Sequence, residues 1–376
     1  MNKKFKIKYH KLMEKNVLLF MPLIDGGGVE KNLFLVSNFL IKKFKKVTLI
    51  TISKNYKKKF HKSIKFTSLS LNIWSKFGKK FQYFLALILL IKEILNNKNL
   101  IVFSFQANIY CIVICKLFGV KVISRSNTAP IGWSKNWFKR NIFRIILNLA
   151  DKVMVNSIEF KKDLKKEFNV EAICIYNPLD IKEIKTKSRK KTLSIFKSKH
   201  KLKILNVGRF TDQKDQITLL KSLNNLKNNL KYEAVLIGKG VLENDLKKYI
   251  KKNNLIDNVK ILNFVDNPYN LLKQTDIFVL TSRYEGLPNV LLEALVLNKF
   301  IISSDCPTGP KEILLNGKGG LLFKTGNYKQ LTNKILYYIK NKNRCNKLLK
   351  VAVKNLDRFD YQKNLVKYYN LVKSFS

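Results

Sequence analysis

Acidic residues are scarce in this sequence, and their scarcity limits what the chain can bind. Among its 376 residues, 25 Asp and Glu stand against 73 Lys and Arg, for a formal net charge of +48 at pH 7. Between Lys31 and Ala150, one acid, Glu93, stands among 23 basic residues. Part of this excess is compositional, because Lys, Asn and Ile are all abundant here, as an AT-rich genome produces. We still expect the first part of the chain to attract an anionic membrane surface or another polyanion.

Motifs for nucleic-acid binding, disulfides and zinc are also lacking. The sequence has no zinc-finger spacing and no RNA-binding aromatic signature, so we expect no nucleic-acid partner despite the charge. The five cysteines are odd in number and include no C-x-x-C pair. This pattern disfavours a disulfide framework or a zinc site and indicates a reducing cytosol. Cys111 and Cys115 have helical spacing and are predicted to lie in the core.

Long hydrophobic runs are missing as well. The longest, Phe84–Ile91, is well short of a membrane span and ends at Lys92. Near the N-terminus, the apolar run Val17–Met21 is too short for a signal peptide and is broken by Pro22. We therefore predict a cytoplasmic protein that is soluble or peripherally associated with the inner face of the cytoplasmic membrane.

Strand and helix patterns alternate along the chain. Short branched runs such as Val47–Ile52 are typical of buried strands, and longer apolar stretches such as Phe81–Leu95 are typical of helices. This alternation predicts an α/β fold with parallel sheets that are covered by helices on both faces. We predict a first domain at 1–180, a Lys- and Ser-rich linker at 181–200, a second domain at 201–355 and a C-terminal helix at 356–376.

One segment of the second domain has the pattern of a phosphate and sugar site. The apolar run Asp276–Leu280 predicts a strand, followed by a tight loop and a helix with Asn289 as its N-cap and Pro288 at its start. Glu285 falls in the loop and Glu293 about one turn inside the helix, so both face the same helix N-terminus. Free amides there suit a phosphate, and carboxylates suit a sugar diol. Alternatively, both acids are ordinary helix-start residues that the helix dipole favours.

A second loop, after the predicted strand Leu202–Val207, contains Arg209 and Lys214. Cleavage of a sugar–phosphate bond places negative charge on the departing diphosphate, and two fixed cations would stabilise that charge. Arg can bind two oxygens, whereas Lys acts as a point charge. Because Lys is abundant throughout this chain, Lys214 alone is weak evidence. Gly238 lies in a further glycine turn at the carboxyl end of a predicted strand, where ligands collect in open parallel sheets.

The run E-G-L-P-N-V-L-L-E-A that begins at Glu285 resembles the donor-site signature of retaining glycosyltransferases of family 4, which have the GT-B fold. The G-G-V-E segment at residues 27–30 resembles the family's first loop, and Arg209 and Lys214 match its G-R-x-x-x-x-K loop. The resemblance is strongest over residues 202–323. It implies a GT-B protein with two Rossmann-like, doubly wound parallel-sheet domains facing a central cleft, and a last helix that crosses back onto the first domain.

The resemblance also implies a reaction and a set of residue roles. A hexosyl or N-acetylhexosaminyl group would pass, with retention, from a nucleotide-diphosphate sugar, expected to be a UDP-sugar, to a lipid-linked glycan acceptor in bacterial surface polysaccharide, lipopolysaccharide or glycoprotein-glycan synthesis. Arg209 and Lys214 would hold the diphosphate, Glu285 would contact donor-sugar hydroxyls, and Glu293 would bind the ribose. The implied donor site further includes Gly27, Gly28, Gly238, Val265, Gly286, Leu287, Asn289 and Val290. The sequence has no D-x-D motif, which agrees with metal-independent catalysis, so no metal or other cofactor is expected.

One departure from the family leaves part of the site open. Several family members have a His just after the strand that here ends at Ser124, and this chain has S-R-S-N-T instead. Either Arg125 or Asn127 contacts donor or acceptor from this place, or both serve a structural turn. Two other functions remain alternatives: a non-catalytic membrane- or polyanion-binding protein on a degenerate GT-B scaffold, and a GT-B nucleotide-sugar epimerase.

Overall fold

The chain forms two lobes, each built on a parallel sheet. The computed structural model describes residues 13–52, 56–69, 78–97, 99–130, 133, 136–192, 194–198 and 200–375. In the first lobe the strands are β1 Met13–Phe20, β2 Phe44–Ile50, β3 Lys65–Thr67, β4 Leu100–Ser104, β5 Lys121–Arg125, β6 Lys152–Val155 and β7 Ala172–Cys174. The helices between them are α1 Gly28–Leu40, α2 Lys79–Asn96, α3 Asn108–Leu117, α4 Trp137–Leu149 and α5 Ile158–Phe168, and α6 Ile181–Ser188 follows β7.

The second lobe repeats this architecture. Its strands are β8 Leu202–Val207, β9 Tyr232–Ile237, β10 Val259–Leu262, β11 Ile277–Leu280, β12 Phe300–Ser304 and β13 Leu321–Phe323. Its helices are α7 Gln216–Leu226, α8 Glu243–Lys252, α9 Tyr269–Leu272, α10 Asn289–Val296, α11 Pro310–Ile313, α12 Tyr328–Lys340 and α13 Lys342–Lys354, and α14 Tyr361–Lys373 ends the chain. All strand pairs in both sheets are parallel.

Both sheets are buried on their two faces, which explains the continuous apolar runs of the strands. In β1, Leu18 and Phe20 pack with residues of α2 to α5, whereas Val17 and Leu19 pack with α1 on the opposite face. This alternation follows from the two-residue period of a strand. The described helices of the first lobe thus cover its sheet from both sides.

The strand orders place two topological switch points opposite each other. The first sheet has the order β3-β2-β1-β4-β5-β6-β7, and the second β10-β9-β8-β11-β12-β13. The order reverses beside β1 in the first sheet and between β8 and β11 in the second. Ligands of open α/β sheets bind outside the carboxyl ends of the strands at such points. The loops after β1, β8 and β11 are therefore the natural place for a binding site.

The chain crosses between the lobes twice, and the two crossings lie side by side. At the crossings the Leu179 amide donates to the Phe359 carbonyl at 2.9 Å. After the second crossing, α14 packs into the core of the first lobe, where Leu365 and Tyr368 are fully buried. The segment 181–200, predicted as a linker, contains helix α6, whose Ile184 is buried in the core of the second lobe.

The positions of two cysteines and the character of the helices bear on two further expectations. Cys111 and Cys115 are fully buried on α3, as their spacing predicted. Within the described residues, no helix has both the length and the apolar character needed to span a bilayer.

Candidate active site between the lobes

The glycine loop of the first lobe lies against the start of α10 in the second. Gly27 occupies the N-cap position of α1, and the Gly28 carbonyl accepts a hydrogen bond from Asn289 Nδ2 at 3.2 Å. A Cβ placed on Gly28 would lie 3.4 Å from the same Asn289 nitrogen. The two switch-point regions therefore approach closely at Gly28, whereas a Cβ on Gly27 would meet Glu30 of its own lobe.

Glu285 lies in the loop between β11 and α10, and its carboxylate is fixed by two partners. Lys214 Nζ lies 2.5 Å from Glu285 Oε1, and Ser282 Oγ donates to the same oxygen at 2.6 Å. The loop backbone is held as well, because the Ala129 amide of the first lobe donates to the Glu285 carbonyl at 2.8 Å. Glu285 is 6% exposed, so this carboxylate is a largely buried, oriented group.

Arg209 and Lys214 lie in one loop after β8 and border the cleft. The Arg209 carbonyl accepts from Gln216 Nε2 at 3.0 Å, which fixes the loop, while the Arg209 side chain remains exposed. Its charge acts across the cleft on Glu30 of the first lobe. Burial raises the pKa of the Glu30 carboxyl, and hydrogen bonds from the Glu30 and Asp25 amides, with a smaller effect of the Arg209 charge, partly offset this rise. A cation is thus available at the cleft where an anionic group would approach.

Glu293 is the centre of a buried contact between the lobes that the sequence analysis missed. Lys31 Nζ of α1 lies 2.7 Å from Glu293 Oε1 and donates to the Tyr269 hydroxyl at 2.6 Å. The Tyr269 hydroxyl also donates to Glu293 Oε1, at 3.2 Å. Burial alone would lower the pKa of the Lys31 amine, but Glu293 raises it above its ordinary value. We call Lys31, Tyr269 and Glu293 the interlobe triad.

Three other predicted donor-site residues lie in the loops and the helix start of the second lobe. Leu287 is buried, and its carbonyl accepts from Asn177 Nδ2 at 3.3 Å. Val290 is half-buried on the first turn of α10. Val265 is partly buried against the second-lobe core, in the loop after β10.

Two predicted glycines are needed for loop-to-loop packing. A Cβ on Gly286 would lie 2.1 Å from the Asn127 carbonyl oxygen of the first lobe, and a Cβ on Gly238 would lie 2.0 Å from the Gly208 carbonyl oxygen. Contacts this short do not occur for real side chains, so the backbone approach requires glycine at both positions.

The prediction of Asn289 as an N-cap is wrong. Pro288 takes the N-cap position in an extended conformation, and Asn289 is the first helical residue. The Asn289 side chain points to the other lobe instead, because its Oδ1 accepts from Asn177 Nδ2 at 2.7 Å while its Nδ2 donates to Gly28. The side-chain amide of Asn289, whose oxygen a local cap would use, is thus hydrogen-bonded to Asn177 and Gly28 of the first lobe.

Arg125 and Asn127 have structural contacts, which favours the second of the two interpretations. Arg125 is fully buried, donates from Nη2 to Asn177 Oδ1 at 2.8 Å, and stacks over Phe105 with 5.3 Å to the ring centre. Arg125 also donates to Asn127 Oδ1, and Asn127 Nδ2 donates to the Phe105 carbonyl at 2.7 Å. Full burial leaves Arg125 no surface for a donor or acceptor, so a substrate contact by its guanidinium is not supported.

A second pair of acids joins the lobes on another side of the cleft. Glu312 of α11 accepts from the Ile158 and Glu159 amides at the start of α5, both at 3.2 Å, and from the Tyr176 hydroxyl. In return, Glu159 Oε2 accepts from the Gly309 amide at 3.0 Å. No sequence pattern distinguished these acids, because each one meets its partners only after the lobes have packed.

The lobes therefore touch directly at the candidate site. A surface cavity of about 540 Å³ lies elsewhere, on the outer part of the second lobe, and is lined by residues such as Glu233, Lys251 and Lys260. None of the predicted site residues lines it. The predicted site residues Arg209, Lys214 and Glu285 lie after β8 and β11, where the topology of the sheet predicts a ligand, and not at this cavity.

Comparison with known protein families and curated sequences finds similarity that is centred on the second lobe. Residues 187–355 match the family model described as glycosyl transferases group 1. The "Uncharacterized glycosyltransferase MJ1059" of Methanocaldococcus jannaschii is 34% identical over 231 residues, which are 56% of this chain and 56% of that protein.

Two proteins of Campylobacter jejuni are also similar. The N-acetylgalactosamine-N,N'-diacetylbacillosaminyl-diphospho-undecaprenol 4-alpha-N-acetylgalactosaminyltransferase is 30% identical over 58% of this chain and 60% of that protein. The GalNAc-alpha-(1->4)-GalNAc-alpha-(1->3)-diNAcBac-PP-undecaprenol alpha-1,4-N-acetyl-D-galactosaminyltransferase is 24% identical over 92% of this chain and 94% of that protein. The chain spans little more than half the length of the first two curated relatives that it matches.

Solved structures confirm the predicted GT-B fold with its two Rossmann-like lobes. Anabaena Alr3699/HepE in complex with UDP and glucose superimposes with a TM-score of 0.76 at 16% identity, over 96% of this chain and 100% of that one. The sucrose-phosphate synthase tll1590 of Thermosynechococcus elongatus gives 0.80 at 14% identity, over 96% and 99%. At these identities the likeness establishes the fold alone.

Proposed function

We propose that this chain, whose residues 187–355 match the family model described as glycosyl transferases group 1, is a glycosyltransferase that uses a nucleotide-diphosphate sugar and a lipid-linked acceptor. The observation that supports the proposal is that Arg209, Lys214, Glu285 and Glu293 all lie in the segments after β8 and β11, where Lys214 contacts Glu285. These segments touch the first lobe through the Glu293–Lys31 and Asn289–Gly28 contacts. In sequence these residues are spread over 85 positions. A merely structural role would not require cations and buried carboxylates to converge at two switch points.

The arrangement suits departure of a diphosphate. The start of α10 supplies amides and a partial positive charge, and Arg209 and Lys214 supply two cations beside it. These charges are in place before the sugar–phosphate bond breaks, so they stabilise the transition state without reorganisation. The reaction in this proposal needs no metal and retains the configuration of the transferred sugar, as in the family 4 glycosyltransferases that the sequence resembles.

The two carboxylates have separate tasks in this proposal. Glu285, oriented by Lys214 and Ser282, accepts hydrogen bonds from donor-sugar hydroxyls. Glu293 accepts from the ribose hydroxyls, and for this it must share its carboxylate with Lys31 or release Lys31. Binding of the nucleotide is thereby coupled to the contact between the lobes.

The donor and acceptor are proposed from the relatives. A solved structure of the same fold contains UDP and glucose, and two relatives are named as N-acetylgalactosaminyltransferases of undecaprenol-linked glycans. We therefore expect a UDP-hexose or UDP-N-acetylhexosamine as donor and a polyprenyl-linked glycan as acceptor. The reaction would serve bacterial surface polysaccharide, lipopolysaccharide or glycoprotein-glycan synthesis at the inner face of the cytoplasmic membrane.

The first test identifies the donor and separates the alternatives. UDP-, GDP- and ADP-sugars are added singly, and the melting temperature is measured. A rise with one class identifies the base, whereas no rise with any donor supports the non-catalytic alternative. Products formed from the donor alone are then analysed, because an epimerase changes the sugar without an acceptor.

The second test concerns Glu285. We expect Glu285→Ala to lower kcat by about a hundredfold or more while the protein stays folded, because an oriented contact to the reacting sugar is lost. Glu171→Ala, at a Glu whose side chain is 73% exposed, is the matched control and should transfer sugar like the wild type. Wild-type turnover in Glu285→Ala would refute the role of this carboxylate.

A further inference from the structure

Helix α4 carries an apolar stripe on its outward face. Phe138, Ile142, Ile145 and Leu149 recur at spacings of four, three and four residues, and their exposed fractions are 64%, 36%, 60% and 49%. Helical geometry aligns these four side chains along one line. On the inner side of α4, Leu147 is buried, and Phe143 and Ile146 pack against the core, so the outward stripe is a second apolar row. A helix packed on a globular core usually has a single stripe, which is turned inward.

Helices α2 and α3 continue this surface. On α2, Phe81, Phe84, Ile88 and Leu95 are 39–61% exposed and lie opposite the helix face that is buried in the core. On α3, Tyr110, Val113 and Leu117 also point outward at helical spacing. The three helices contact each other in sequence on the same side of the sheet. Twelve of the nineteen exposed large apolar side chains of the described residues lie on them, and we call their outward side the apolar face.

Basic residues accompany the apolar stripes. Lys139 and Arg144 lie on either side of the α4 stripe, and Lys80 and Lys92 are exposed on α2. The one acid on the three helices, Glu93, is already paired with Lys65 at 2.8 Å. The apolar face therefore combines hydrophobic side chains with an uncompensated positive charge. A large exposed apolar patch marks an interaction site, and the charge around it selects an anionic partner.

This combination fits one class of partner. A soluble polyanion would bind the cations but leave the aromatic and aliphatic side chains in water. A bilayer with anionic headgroups satisfies both, since apolar side chains enter the acyl boundary while Lys and Arg remain among the phosphates. Trp137, 77% exposed at the start of α4, is of a type that favours the headgroup level.

The apolar face also has a useful orientation toward the cleft. Helices α3 and α4 each follow a strand of the first sheet, so they begin at the edge where the strands end and the cleft opens. At the start of α2, Lys79 Nζ lies 3.8 Å from Asp25 in the loop before the glycines. A membrane that contacts this side of the lobe would therefore bring a lipid-linked acceptor near the candidate site.

We propose that the outward faces of α2, α3 and α4 dock on a bilayer that contains anionic lipid, with Phe84 and Ile145 inserted at the acyl boundary. The use of this surface for acceptor delivery rests on the proposed function, whereas the docking itself does not. The surface lies outside the cleft, so substitutions on it leave the donor site intact.

Vesicle flotation tests the proposal with the full chain. The wild type should bind phosphatidylcholine vesicles that contain phosphatidylglycerol, and more weakly at high salt or without the anionic lipid. Ile145→Glu and Phe84→Glu should each lower the partition coefficient by about tenfold or more, because a charge replaces an apolar side chain that would insert into the bilayer. Val241→Glu, at a residue 85% exposed in the second lobe, is the matched control and should bind like the wild type.

Three outcomes would overturn the proposal. The first is absence of wild-type binding to anionic vesicles, and the second is undiminished binding by both Ile145→Glu and Phe84→Glu. The third is a second copy of the chain as occupant, seen as a wild-type dimer in solution that Ile145→Glu converts to a monomer, without vesicle binding by either. Unchanged melting temperatures verify that the variants are folded.

The experiment also separates this proposal from the proposed function. If docking is correct and the function is correct, Ile145→Glu retains the melting-temperature rise with its nucleotide-sugar but loses vesicle binding. Vesicle binding without a response to any nucleotide-sugar would refute the function and leave the docking surface in place. A rise in melting temperature with a nucleotide-sugar, without vesicle binding, would refute the docking surface and leave the proposed function in place.

Discussion

Removal of either charge from the interlobe triad should destabilise the protein by more than an ordinary ion-pair substitution. Lys31 and Glu293 lie 2.7 Å apart, with side-chain exposures of 25% and 8%. Lys31→Met leaves a nearly buried carboxylate with the Tyr269 hydroxyl as its remaining partner. Loss of one partner of a fully buried pair costs roughly 3–5 kcal/mol. Since Lys31 is partly exposed, water can reach the gap, and we expect a loss of about 2–3 kcal/mol.

The double variant separates the interaction between Lys31 and Glu293 from the effect that each substitution has by itself. Lys31→Met/Glu293→Gln leaves no lone charge, and the new amide can accept from Tyr269, so its loss should be well below the sum of the two single losses. We expect a coupling free energy of about 2 kcal/mol from the four free energies of unfolding measured with urea. The corresponding substitutions in the surface pair Lys247–Glu243, which is 2.6 Å apart but more exposed, should couple by about 0.5 kcal/mol or less.

Additive losses would refute this reasoning. If the two single variants sum to the double within about 0.5 kcal/mol, the contact does not stabilise the closed arrangement of the lobes. Small-angle scattering gives an independent readout, because a weakened triad should increase the radius of gyration of the ligand-free protein. An unchanged radius in Lys31→Met, together with additivity, would assign lobe closure to other contacts such as Glu312 with α5.

Two further predictions concern the packing that supports the site. Gly286→Ala would place a Cβ 2.1 Å from the Asn127 carbonyl, so the loop or the lobe must move, and we expect a melting temperature lower by several degrees, on the order of 2 kcal/mol or more. Gly78→Ala, where nothing lies within 4 Å of the new Cβ, should melt like the wild type, and equal melting of the two variants would contradict the predicted clash. Burial opposes ionisation of Asp151, yet hydrogen bonds from Lys116 and the Val122 amide hold its pKa below the ordinary value. The stabilising contribution of the Asp151 carboxylate is therefore present above the unfolded-state pKa of about 4 and is lost as the pH falls through the lowered pKa of the folded state. Asp151→Asn should thus reduce the free energy of unfolding by about 1 kcal/mol at neutral pH and by less in acid. An equal reduction at both pH values would count against the contacts of Asp151 with Lys116 and Val122.

Much of the fold follows from the sequence because its strands are buried on both faces. Strand β11, Ile277–Leu280, is buried at every position and therefore reads as a continuous apolar run, and the run Asp276–Leu280 from which it was predicted differs from its bounds by one residue. Helix α6 was harder to predict, since its eight residues are mainly polar and Ile184 alone is a buried apolar residue there. Its helix depends on packing against the second lobe.

The candidate site divides in the same way. The loop residues Arg209, Lys214 and Glu285 could be proposed from local pattern, because a strand, a turn and a helix start are all encoded within about fifteen residues. The residue Lys31 could not, since it is one of 65 lysines and its partners Tyr269 and Glu293 are more than 230 positions away. The same holds for Arg125, whose burial depends on Asn177 and on Tyr368 from the last helix.

The sequence by itself determined the two parallel-sheet lobes, the order of their elements and the motifs that face the cleft, because each of these depends on periodicity or turn chemistry over short stretches. Only the tertiary structure decided which charged side chains meet, which arginine is buried and which apolar side chains remain outside. These outcomes depend on how two lobes and three adjacent helices pack. Packing brings together residues far apart in the chain, and no local pattern records that proximity.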